Sequence, residues 1–334
     1  MNTYVKALNS GLDKILESDD RVFIIGEDIC DPYGGAFKVT KGLSSKYPGR
    51  LINTPISESG ITGLATGMAI RGLRPILEVM FGDFMSLTVD QVLNNISKLH
   101  WMYNRQVKVP IVIRTPMGGR RGYGPTHSQC IEKIFFGMPG IKVVSPSIFH
   151  DVSCLLKRAV FDDDPVIFIE YKQDYPRELK IPDNGKIDEW SVRVLEDIYP
   201  TLVLSLTGFE DADVTVMTYG GMLPMVESGM KELFLSDEIS ANILVPSLIK
   251  PLNIDNWLPY IAKTGRVVIA EEATLTNGWG AEIAALLADK AFEYLKAPIK
   301  RVAAIDLPIA NTRSLEDGIL PGKQDLIGAV KGIV

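Results

Sequence analysis

The chain has 334 residues, more than the roughly 250–300 at which a single hydrophobic core stops growing, so two domains are expected. Hydrophobic residues make up 46% and charged residues 23%, which excludes a disordered chain, and a net charge of -6 with a pI near 5.3 argues against nucleic acid as a partner. No apolar run approaches the ~18 residues of a membrane span, and the three cysteines, Cys30, Cys130 and Cys154, are odd in number and lack CxxC spacing, so a reducing, cytoplasmic compartment is expected rather than a disulfide framework or a zinc site.

In chain order, "MNTYVKALNSGLDKILESDDRV" reads as an amphipathic helix without the features of a signal peptide. Strand-like runs follow at 21–28, 74–80, 109–115, 141–147 and 165–170, with helix-period segments between several of them. That alternation is the signature of crossover units and a largely parallel sheet. Residues 60–71 fit a helix with Ile61, Leu64, Ala65 and Met68 on its apolar face and Gly60, Gly63 and Gly67 on a second stripe. Each glycine costs a helix roughly 1 kcal/mol relative to alanine, so close approach by a chain, a sheet or a ligand is expected there. A longer helix is expected at 86–104. From about 171 to 212 charges, prolines and turn residues dominate, which places a linker over 176–212 between a first domain at 1–175 and a second at 213–334. The second domain again alternates strands (213–220, 241–247, 266–272, 299–305) with helices (near 221–234, 254–263 and 279–295). The fold class is α/β, with two doubly wound domains.

Two residues stand out for chemistry. Glu58 in "TPISESGITGLATGMAIRG" opens the glycine-striped helix. An acid there ordinarily complements the helix dipole, and a carboxylate held against a ligand nitrogen is the sharper alternative. His127 lies in the glycine-rich loop "PMGGRRGYGPTHSQC", which leaves the carboxyl end of the strand at 109–115. Parallel sheets bind ligands at such ends, and histidine can shuttle protons near neutral pH. His100 and His150 read as structural. The loop matches neither GxGxxG nor the Walker pattern, and there is no GxSxG nucleophile elbow.

Taken together and in order, "TPISESGITGLATGMAIRGLRPILEVMFGDFMSLTVDQVLN", "GPTHSQ", "PGIKVVSPS", "DDDPVIFIE", "EEATLTNGWGAEIA" and "LEDGILP" resemble the beta subunit of the thiamine-diphosphate-dependent decarboxylase component of 2-oxoacid dehydrogenase complexes. The resemblance spans nearly the whole chain. It implies a transketolase-like pyrimidine-binding domain followed by a transketolase C-terminal-like domain that mainly builds subunit contacts. It implies that Glu58 hydrogen-bonds a ring nitrogen of the cofactor's aminopyrimidine, favouring the tautomer that deprotonates the thiazolium carbon. Phe84 is implied to lie against the pyrimidine, with Met80 and Phe81 lining the same pocket, and His127 to face the substrate and help pass the acyl group to a lipoyl arm. It also implies a potassium ion held by main-chain carbonyls of Ile111, Ala159, Asp162 and Asp164.

One absence complements these matches. The family anchors the diphosphate through magnesium with a Gly-Asp-Gly element and a later asparagine on the alpha chain, and this sequence has no Gly-Asp-Gly. An alpha subunit in an α2β2 assembly is therefore expected, with a lipoyl acyltransferase core as a further partner and a 2-oxoacid as substrate. The "GPTH" form of the loop is closer to transketolase-like relatives. A split transketolase-type subunit that transfers a two-carbon or acyl unit to an aldehyde is thus the alternative, and a non-catalytic structural subunit is the third.

Overall fold

The computed structural model describes residues 2–196, 198–209 and 211–334. Among them the chain forms fourteen strands in two seven-stranded sheets. They are β1 (Val22–Gly26), β2 (Leu51–Asn53), β3 (Arg74–Glu78), β4 (Val112–Met117), β5 (Lys142–Val144), β6 (Val166–Tyr171), β7 (Lys186–Ile187), β8 (Trp190–Leu195), β9 (Thr201–Leu206), β10 (Val214–Thr218), β11 (Ala241–Pro246), β12 (Leu248–Lys250), β13 (Val267–Thr274) and β14 (Lys300–Ala304).

The first sheet runs β12-β5-β6-β4-β3-β1-β2, and every pair in it is parallel except β12 with β5. Its central strands are mainly apolar, as suits a sheet covered by helices on both faces; β4 and β6 are buried along their whole lengths. On one face the helix Tyr4–Ser18 buries Tyr4, Leu8, Leu12 and Ile15, spaced three and four apart, and packs on the helix Val152–Phe161. Gly11 permits that approach: a Cβ there would lie 2.9 Å from the Ser153 hydroxyl. Inside the sheet, Arg114 on β4 reaches Glu78 on β3 at 2.7 Å and Glu170 on β6 at 2.8 Å, and the Tyr175 hydroxyl donates to Glu170. All four of these side chains are buried, so the arginine neutralises two carboxylates that would otherwise be costly to hide.

The second sheet runs β14-β13-β10-β11-β9-β8-β7, parallel through β11 and antiparallel beyond it. Here the expected linker is corrected. Residues 176–212 contain β7, β8 and β9, which extend the second sheet, and Trp190 and Leu204 are fully buried. The domains also exchange an edge, since β12, reached from β11, pairs with β5 of the first sheet through Leu248 and Val144. Buried Tyr4 and Phe168 of the first domain and Trp190 and Leu223 of the second belong to one apolar cluster.

Two helical expectations change. The run at 86–104 is a tight-pitched Gly82–Thr88, a wide turn at Gln91–Ile96 and an α-helix only at Ser97–Met102. In the helix Glu58–Ile70 the buried face is Glu58, Ile61, Thr62, Ala65, Thr66 and Ala69, while Leu64 is 55% exposed. Along the glycine stripe, Gly60 and Gly67 are exposed, while half-buried Gly63 would bring a Cβ to 3.4 Å from Gln91 of the same chain.

Candidate active site

The carboxyl ends of β1, β3, β4 and β6 converge on one edge of the first sheet, where an open parallel sheet receives ligands. β1 delivers Glu27, β3 delivers Met80 and Phe81, β4 delivers the loop 118–130 and β6 delivers Lys172. Beside them Glu58 is the first residue of its helix, with Ser57 at the N-cap, and it is buried. The positive end of the helix dipole is the physical reason a carboxylate is tolerated there. Glu27 has one carboxylate oxygen sealed from solvent without a hydrogen-bond partner. Burial pushes its pKa up, and the charge of Glu58 pushes the same way.

The helix headed by Glu58 packs on Gly82–Thr88, which carries Phe84. Phe81, Phe84 and His127 form an edge-to-face cluster: His127 lies 4.7 Å from Phe81 and 5.2 Å from Phe84 between ring centroids, and the two phenylalanines are 5.7 Å apart. Tyr123 and Phe37 flank Phe81 at 6.2 and 5.6 Å. Such ring pairs contribute about 0.5–1.5 kcal/mol each beyond burial. Nδ1 of His127 lies 3.0 Å from the Thr126 hydroxyl. Asp83 ties the loop down, accepting from the Gln129 side chain at 2.8 Å and its backbone N–H at 3.3 Å. The structure thus groups His127 with Phe81 and Phe84 and sets Glu58 on the helix behind them. Met80 is half-buried at the turn that leads into Phe81.

Several residues at this edge escaped sequence reasoning. Lys172 is fully buried, its ammonium has no hydrogen-bond partner, and it lies 5.6 Å over the Phe81 ring. Burial lowers its pKa. Behind the loop, at the join of the two domains, Cys130, Glu132, Glu271 and Glu272 are all buried. The Tyr219 hydroxyl donates to Glu132, whose pKa burial nevertheless pushes up to about 7. Glu27 and Lys172 could have been found by asking which residue follows each parallel strand. The carboxylates behind the loop come from distant segments and left no local signal.

The residues implied for potassium lie elsewhere: Ile111 just before β4, Ala159 in the helix Val152–Phe161, and Asp162 and Asp164 on the loop before β6. The Ile111 carbonyl accepts from Val166 N–H, the Ala159 carbonyl from Asp162 N–H, and the Asp162 carbonyl from Arg74. Lys142 bridges the carboxylates of Asp162 and Asp164 at 2.7 and 3.0 Å. Lys142 thus meets carboxylates rather than carbonyls, and a hydrogen-bonded carbonyl such as that of Ile111 keeps a second lone pair. Among the described residues no group of three or more His, Cys, Asp or Glu side chains is placed to hold a metal, and no helix is long and apolar enough to cross a membrane.

Residues 1–178 match the family model of the transketolase pyrimidine binding domain, and residues 208–326 that of the transketolase C-terminal domain. Among curated proteins, the chain is 36% identical over 330 residues to the mitochondrial pyruvate dehydrogenase E1 component subunit beta of Dictyostelium discoideum, covering 98% of this chain and 89% of that one. It is 36% identical over 333 residues to the corresponding subunit of Rickettsia bellii, covering 99% and 98%. Among solved structures, a split gene transketolase described as an inactive beta4 tetramer superposes with a TM-score of 0.75 at 18% identity, covering 100% of this chain and 98% of that one. This last likeness speaks to the fold alone. At such identity over nearly full length, with both domain models in sequence order, the chain belongs to the family of pyruvate dehydrogenase E1 component beta subunits.

Proposed function

We propose that the chain is the beta subunit of a thiamine-diphosphate-dependent 2-oxoacid dehydrogenase, active only with an alpha subunit in an α2β2 assembly. In that complex a 2-oxoacid is decarboxylated and its acyl unit passed to a lipoyl group of an acyltransferase core. The observation that carries the reading is the cluster of His127, Phe81 and Phe84 at the carboxyl ends of β3 and β4, with Glu58 heading the adjoining helix. The residues fit an aminopyrimidine: a buried acid at a helix N-terminus, a second acid, Glu27, with an orphaned oxygen, and aromatic edges beside them. When bound, thiamine diphosphate would supply a nucleophilic carbon and an electron sink for the bonding pair left behind as carbon dioxide departs.

This chain's own residues then divide the work. Glu58 would accept a hydrogen bond from the pyrimidine and so set the basicity of its exocyclic nitrogen. Phe81, Phe84 and Met80 would wall the ring and exclude water. His127 would stabilise negative charge developing on the substrate and hold the proton that its transfer requires. Magnesium and the diphosphate belong to the partner in this reading, because the Gly-Asp-Gly element is missing here. The glycine stripe at Gly60, Gly63 and Gly67, with exposed Leu64, Ile56 and Leu87 near it, supports close approach of that partner. Potassium enters the reading only as a structural ion, on main-chain carbonyls of Ile111, Ala159, Asp162 and Asp164. Three free cysteines support a cytoplasmic setting.

The split-transketolase alternative draws on the "GPTH" loop and on the fold neighbour, and the acceptor distinguishes the two. The co-purified pair is assayed for 2-oxoacid-dependent reduction of a dye, and for ketose formation from an aldehyde. Dye reduction that Glu58→Ala abolishes supports the proposal. Ketose formation without dye reduction supports the alternative, and full activity of Glu58→Ala would leave only a structural subunit.

A further inference from the structure

The two motifs "EEATLTNGWG" and "LEDGILP" lie far along the chain from the histidine loop and have no part in the chemistry above. Both nevertheless end on it. The Gly119 N–H donates to Oε1 of Glu272 at 2.6 Å. The Arg120 N–H donates to Oε1 of Glu316 at 2.6 Å, and the Gly122 N–H to Oε2 of the same carboxylate at 3.3 Å. Glu316 is fully buried and Glu272 is 5% exposed, and the bond from Gly119 is buried while those from Arg120 and Gly122 are partly so.

The loop's covalent geometry is shaped around the same segment. Gly118, Arg120, Gly122 and Gly124 all have positive φ, and at Arg120 (63°) a left-handed backbone is strained for a residue with a Cβ. Such a conformation persists only where its surroundings over-determine it. Here they do: the Arg120 guanidinium reaches Asp317 at 3.2 Å and the Pro321 carbonyl at 2.5 Å. A Cβ at Gly119 would come 2.7 Å from Leu320 and 2.9 Å from Glu316, and one at Gly124 would come 3.3 Å from Asn311. Past Gly124 the next tether is Gln129 on Asp83 of the first domain. His127 therefore stands on the short span between a second-domain anchor and a first-domain anchor.

We propose that Glu316 and Glu272 are positioning residues for His127, through which the second domain clasps the glycine loop and sets the histidine against Phe81 and Phe84. The kinetic part of this inference rests on the dehydrogenase reading, and the clasp itself does not. On this account the second domain does more than build subunit contacts: it holds the loop that the first domain's sheet delivers.

The test uses the co-purified complex with Glu316→Ala, Glu316→Gln and Gly119→Ala. Gly119→Ala keeps every carboxylate and displaces only the docking. Limited trypsin digestion reads the loop directly, since Arg121 is exposed and adjoins Arg120. Glu316→Ala and Gly119→Ala are expected to be cut in the loop at least about tenfold faster than the parent. Their kcat for 2-oxoacid is expected to fall about 10- to 100-fold, with the affinity for thiamine diphosphate within about twofold. Glu316→Gln, which still offers one acceptor oxygen, is expected to recover part of both losses. Unchanged protease resistance and unchanged kcat in both disruptive variants would overturn the proposal. Equal loss of cofactor binding and turnover, with no rescue by glutamine, would also overturn it, as general misfolding. Faster cleavage in a complex that turns over no 2-oxoacid would uphold the clasp and sink the dehydrogenase reading instead.

Discussion

The two domains use one architecture to different ends. In the first, the carboxyl ends of parallel strands face outward and bear Glu27, Phe81, the histidine loop and Lys172. In the second, the corresponding ends turn back toward the first: β13 carries Glu271 and Glu272 in its carboxyl-terminal half, and Tyr219 follows β10 to reach Glu132. The strand-end rule places ligands at such edges, but where two sheets meet edge to edge one of them becomes the support for the other. The comparison predicts large catalytic effects at the first edge and mainly stability or positioning effects at the second.

The largest effect is expected for Glu58→Ala, a fall in kcat of about 10²- to 10⁴-fold measured on the reconstituted complex, the range of a lost acid-base group. The melting temperature should hold or rise, because Glu27 loses a like-charged neighbour. Next comes Arg114→Met, deep in the first sheet, which strands Glu78 and Glu170. Unfolding by denaturant should show a loss of about 3–5 kcal/mol, as when one member of a buried ion cluster is removed. His127→Ala follows, with kcat expected to fall about 10²- to 10³-fold and thiamine diphosphate affinity little changed.

At the second edge the expected effect is smaller and depends on pH. Burial raises the folded pKa of Glu132 from 4.5 to about 7. The folded state thus holds this proton more tightly than the unfolded chain, and the group's contribution to stability is complete below pH 4.5 and lost as pH rises through about 7. Asp174 acts in the same direction, and His150, whose pKa burial lowers to about 4, acts in the opposite one. Glu132→Gln should therefore raise the melting temperature at pH 8 by a few degrees, with each kcal/mol worth about 1–2 °C in a chain of this length, and flatten its decline between pH 5 and 8.

Much of the fold was legible because its long strands are uninterrupted apolar runs, as in "PVIFIE", which became β6. What was missed had a physical reason. β2 is three residues long, too short to show a period. β8 and β9 sit beside the charged stretch "KIPDNGKIDEW", and their alternation "WSVRVL" and "TLVLSL" was read as part of a linker. The expected helix face at Leu64 failed because its burial is not supplied by this chain. In the site, Glu58, Phe84 and His127 were legible as members of an ordered motif set. Lys172 was hidden because a lysine after a strand looks solvated until the fold buries it. Glu316 was hidden because its partners, Arg120 and Gly122, are reached only through tertiary contact.

The most direct test of the central claim is magnesium-dependent binding of thiamine diphosphate, measured by calorimetry on the isolated chain and on the chain co-purified with its alpha subunit. The account predicts saturable binding by the pair and none by the isolated chain, because Glu58 and the aromatic wall supply only the pyrimidine half of the site. Tight binding by the isolated chain would contradict it.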